Sequence, residues 1–149
     1  MKFKFTWLSA LGLAGIAFAA GSYVTSRLMA PAVVAEASAN RVYELRIYHT
    51  LPGRLPALVK RFKDDTRRIF DQHGISSVGY WVPQDDPIKS NTLIYIVSHP
   101  NRDAATKNWK EFRDDPAWVK VAAASEADGK IVEKVDSTFM DPTDFSSLK

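Results

Sequence analysis

Glu44 and Arg46 stand two residues apart in Val42-Tyr43-Glu44-Leu45-Arg46-Ile47-Tyr48, a stretch otherwise made of apolar and aromatic side chains. An acid, a base and a phenol at alternate positions can do one of two things. They can close an internal ion pair, or they can present a guanidinium that grips a carboxylate or other anion while Glu44 orients it and Tyr48 donates a hydrogen bond. Alternation makes them a unit, because successive side chains of an extended strand point to opposite faces. Val42, Glu44, Arg46 and Tyr48 therefore share one face, and Tyr43, Leu45 and Ile47 form an apolar one.

Few other residues compete for chemistry. A metal site would need His49, His73 and His99 to converge, but His49 and His99 each close a strand, and antiparallel neighbours carry them to opposite ends of a sheet. His73 falls at a helix C-terminus, where a cationic ring suits the dipole. No metal is expected. Zero cysteines exclude disulfides and thiolate catalysis. There is no Gly-x-Ser-x-Gly elbow, no Gly-x-Gly-x-x-Gly and no Walker sequence. Trp109 and Trp118 sit on helical stripes and read as core, which leaves Trp81 and Tyr95, with His99, as further candidates for a pocket wall.

The elements that must position these residues are legible in order. After the first strand, Pro52-Gly53 marks a turn. Leu55, Leu58, Val59, Phe62, Ile69 and Phe70 then recur at helical spacing among Lys60, Arg61, Lys63 and Asp64, with Pro56 in the first turn and Gly74 as the stop. Ile75 to Val82 and Thr92 to Ser98 read as strands around a polar loop. Asn101 or Asp103 caps a second helix with Ala105, Trp109 and Phe112 inward, and Asp115-Pro116 restarts a helix that runs toward Gly129. Ile131 to Met140 supplies the last strand.

The order β-α-β-β-α-β is the ferredoxin-like arrangement of the α+β class, one antiparallel sheet with its helices on one face and strand order 4-1-3-2. Its open face is expected to close on a second copy, burying residues such as Ile94, Ile96 and Phe139 and leaving a pocket between the sheets. The Glu44 face is expected to look into that inter-sheet space.

The N-terminus carries a different message. Lys2 and Lys4 precede Phe5 to Ser26, 22 residues without a charge, and Arg27 closes the stretch. Residues 1–39 thus read as an export signal or a membrane anchor with a linker, and residues 40–149 as a domain delivered outside the cytoplasm, either soluble in the periplasm after cleavage or tethered to the inner membrane. The leader supplies two of the three formal positive charges. The near-neutral domain that remains lacks the concentrated basic face that nucleic-acid binding needs.

Tyr43-Glu44-Leu45-Arg46-x-Tyr48 with Pro52-Gly53, His73-Gly74, Gly79-x-Trp81, Trp109-x-x-Phe112, Asp114-Asp115-Pro116-x-Trp118 and Pro142-Thr143-Asp144-Phe145-Ser146 resemble the NIPSNAP family over residues 41–147. The resemblance implies a dimeric α/β barrel. It implies no settled activity for bacterial-type members and no cofactor, and an export leader departs from the mitochondrial setting of the animal members. Related dimeric barrels include haem proteins and oxygenases, an analogy of fold alone. The expectation is a homodimeric binding or interaction module for an unknown ligand, a small anion among the candidates. The alternative is an oxygenase- or isomerase-like enzyme working in the inter-sheet pocket.

Overall fold

The structure, a computed structural model, describes residues 41–148. The leader, with its export or anchor reading, lies outside the described residues. No helix among those described is long and apolar enough to cross a membrane.

Four strands form one sheet: β1 (Val42–Thr50), β2 (Ser76–Trp81), β3 (Thr92–His99) and β4 (Val132–Met140), in the order β2-β3-β1-β4. Every pairing is antiparallel. The first strand is therefore central, and Glu44 stands between Val97 and Phe139 while Arg46 stands between Tyr95 and Ser137.

The first helical region is not one regular helix. It comprises α1 (Leu55–Arg61), a π-helical turn (Phe62–Thr66) and α2 (Arg67–Gln72). In the widened turn the Arg67 N–H reaches back to the Phe62 carbonyl, and the buried Thr66 hydroxyl donates to the Arg61 carbonyl at 3.1 Å. The inward stripe is Leu55, Leu58, Phe62, Ile69 and Phe70, whereas Val59, expected on it, is exposed. The region stops at Gly74, whose φ is +67°. An added Cβ there would also lie 3.2 Å from the Asn108 amide that donates to the Gly74 carbonyl. Gly74→Ala is accordingly expected to destabilise the domain by about 1–2 kcal/mol, read from the urea midpoint.

Helix α3 (Arg102–Asp114) is capped by Asn101, whose side chain accepts from the Ala104 N–H at 2.8 Å. Helix α4 (Pro116–Ser125) is capped by Asp115 and opens on Pro116 in its first turn. Asp115 also accepts from His73 Nε2 at 2.7 Å, tying the end of α2 to the start of α4.

All helices pack on one sheet face. Leu58, Phe62, Phe70, Trp109 and Phe112 meet Leu93, Tyr95 and Val97 there. Tyr95 lies 5.1 Å from Phe62 and 5.4 Å from Tyr48 between ring centroids, so the face carrying Tyr95 and Tyr48 is the helix side. Leu45, Ile47, Ile94 and Ile96 pair with one another on the opposite side and are only partly covered. Two expectations are corrected by this. The charged face of β1 looks into the helix-covered layer and not into an inter-sheet space, and Phe139 lies on that same side, under the Arg102 guanidinium at 3.5 Å.

Candidate functional site

Glu44 is the hub of the helix-covered layer. Its Oε1 accepts from Arg46 Nη1 at 2.7 Å and from the Ser137 hydroxyl at 2.6 Å. Its Oε2 accepts from Trp109 Nε1 at 2.5 Å and faces His99 Nε2 at 3.3 Å. A carboxylate only accepts, so His99 donates through Nε2. Burial alone pushes the Glu44 carboxyl up, but hydrogen bonds from His99, Ser137 and Trp109 and the charge of Arg46 outweigh it and hold the pKa at about 2.

Each partner is delivered by a different element. Arg46 comes from the same strand two residues on, Ser137 from the neighbouring β4, His99 from the end of β3 and Trp109 from the middle of α3. The Arg46 guanidinium also lies 4.4 Å from the Trp109 ring centroid and 5.7 Å from that of Tyr48. Burial lowers its pKa, but the neighbouring Tyr95 and Tyr48 hydroxyls and Glu44 raise it overall, so the cation is secure.

Tyr95 stacks between Tyr48 and Tyr80, each with its centroid 5.4 Å away. It is fully buried, and its hydroxyl is pushed up chiefly by that burial, with Tyr48 adding to the effect. Among the described residues Arg46 Nε, His99 Nδ1 and the Tyr95 hydroxyl make no hydrogen bond of ordinary geometry.

The structure thus brings together five of the six sequence-derived candidates: Glu44, Arg46, Tyr48, Tyr95 and His99. Trp81 is not among them. It lies on the open face, half exposed, with its ring so close over Gly79 that a Cβ there would approach it to 2.6 Å. His49 also faces that side and pairs with Asp136 at 3.1 Å. Sequence reasoning missed Trp109 and Ser137 as partners of Glu44. The signal available was the indole N–H itself, since a buried tryptophan needs an acceptor. It also placed Arg61 with the charged residues of its helix, whereas only 7 % of Arg61 is exposed.

The arrangement is an ionised carboxylate with every lone pair engaged, sealed under aromatic rings. Among the described residues no three or more His, Cys, Asp or Glu side chains are grouped to hold a metal ion.

Comparison with known proteins places the chain. No curated protein matches it. Among solved structures it is similar to a NIPSNAP family protein of unknown function from Agrobacterium tumefaciens, with 26% identity and a TM-score of 0.65, over 74% of this chain and 96% of that one. A second Agrobacterium NIPSNAP protein aligns at 20% identity and a TM-score of 0.64, over 74% of this chain and 100% of the other. A NIPSNAP-like domain protein from Burkholderia xenovorans aligns at 15% identity and 0.63, over 72% and 90%, a likeness of fold. The NIPSNAP family model matches residues 43–147, and the chain belongs to the NIPSNAP family.

Proposed function

We propose that this chain is an exported NIPSNAP domain acting as a homodimeric binding module, two copies meeting through their open sheet faces. The observation that carries the reading is the partly covered apolar row of Leu45, Ile47, Ile94 and Ile96, flanked by the half-exposed Trp81. A contiguous apolar sheet face of this kind calls for a partner, and a two-fold copy of itself supplies a matching surface. The uncharged stretch from Phe5 to Ser26, preceded by Lys2 and Lys4, supports delivery across the membrane.

The enzyme alternative draws no support from the Glu44 cluster. Its carboxylate is saturated by Arg46, Ser137, Trp109 and His99, and it is 1 % exposed, so it has no free lone pair to offer a substrate.

Native mass spectrometry of the protein from its own host tests the reading. A dimer mass carrying a small molecule is the expected result. A chain lacking the leader identifies cleavage, and a full-length chain in the membrane fraction identifies an anchor. A full-length monomer recovered from the cytoplasm overturns both export and assembly.

A further inference from the structure

A cleft of about 550 Å³ opens between α1 with its π turn and α4. It belongs to the helical layer, whereas the partly covered apolar row lies on the opposite face of the sheet, so the cleft stays accessible in the proposed dimer. Its base carries Arg61. That side chain is inward because the stripe through Leu58 and Phe62 includes the position between them, and the π turn begins at the next residue. Such turns recur at functional sites, since one extra residue in the turn re-aims the side chains beside it.

Arg61 is poorly compensated for a buried cation. Nη1 has two long contacts, to the Ser125 hydroxyl at 3.3 Å and to Glu126 Oε1 at 3.5 Å. Both oxygens have other partners, because Ser125 donates to the Ala122 carbonyl and Glu126 Oε1 accepts from the Ile131 N–H. Nε is buried without an acceptor among the described residues. The guanidinium rests 5.3 Å from the Trp118 ring centroid. Burial pushes its pKa below the ordinary guanidinium value, and Glu126 restores only part of that. Arg46 is the instructive contrast, with a 2.7 Å carboxylate of its own.

The cleft is also unbalanced in charge. Asp64 is taken by Lys60 of the cleft, and Asp65 faces Arg68 outside it at 3.8 Å, so each acid of the cleft already has a basic partner. Lys120 lines the cleft and forms no ion pair among the described residues. The remaining wall is apolar, formed by Ala57, Val121 and Ala124.

From this geometry we propose that the cleft binds an amphiphilic carboxylate, a small carboxylic acid whose head meets Arg61 and whose hydrocarbon body lies along Ala57, Val121 and Ala124. The planar guanidinium suits a carboxylate head, Lys120 adds long-range attraction at the mouth, and the alanines leave room for the chain. The inference deepens the binding-module reading without requiring the dimer.

Calorimetric titration of the full chain with butyrate, hexanoate, octanoate and octanol tests it. Octanoate is expected to bind saturably, with affinity rising roughly fourfold per CH2 along the series, and octanol to bind much more weakly. Arg61→Met, which keeps the volume and removes the charge, is expected to weaken octanoate at least about tenfold, the loss of one charge-assisted contact. Val121→Trp fills the cleft while leaving Arg61 in place and is expected to abolish binding, so the result stands even if one variant folds poorly. Absence of octanoate binding to the wild-type chain, octanol binding as tightly as octanoate, or unchanged binding in the folded variants overturns the proposal. Light scattering on the same samples keeps the outcomes separate, because a dimer that ignores carboxylates defeats this inference alone.

Discussion

Replacing Glu44 by alanine is expected to cost on the order of 3–5 kcal/mol, the largest single loss in the domain, because it strands a buried cation and three donors at once. Arg46, Trp109, His99 and Ser137 all lose the acceptor they converge on. Arg46→Ala is expected to be milder, since three donors stay on the carboxylate. The same carboxyl carries a pH signature. Its pKa is lowered from 4.5 to about 2 in the folded state, so its contribution is complete above pH 4.5 and is lost as pH falls toward 2. Urea unfolding at pH 6 and pH 3 measures this directly. Glu44→Gln should flatten the acid limb of the wild-type curve, and an unchanged acid limb in that variant would place the pH dependence elsewhere.

Introducing a charge into the open sheet face should convert the proposed dimer to a monomer. Ile94 sits opposite Ile47 and beside Trp81 in the registers of its two neighbours, near the middle of the partly covered row. An aspartate there would be desolvated twice over in a two-fold interface, once in each copy. Trp81→Glu is the gentler partner experiment, because that side chain is already 50 % exposed in the single chain. Light scattering at micromolar concentration, with circular dichroism to confirm folding, reads the result. If both folded variants remain dimeric, the copies do not meet through this face.

The order of elements was legible because its signals are local. Asn101 and Asp115 cap where their short polar side chains say they should, Gly74 ends its helix, and alternation in β1 sorts its residues into two sets. Alternation does not say which set faces the helices. Polarity argued for the wrong one, because what reconciles Glu44 with burial is an indole N–H 65 residues away and a hydroxyl 93 residues away, partners that no local pattern announces. The apolar set was then free to serve a second surface. The π turn was equally hidden, since one residue of extra winding changes no residue type. Arg61 shows the consequence, having been read by its charge when its position three residues after Leu58 was the better guide.

The central place of β1 bears on how the chain comes together in time. It leaves the ribosome first among the strands, yet its two neighbours are β3, about fifty residues behind it, and β4, which ends at Met140. The first strand therefore has to wait for both of its neighbours. Until Ser137 arrives Glu44 lacks one of its donors, and until β4 docks one whole side of β1 stays open. A chain threaded in extended form through a membrane would keep this sheet unmade until almost all of it had crossed, because the pairings of its first strand are all distant in sequence.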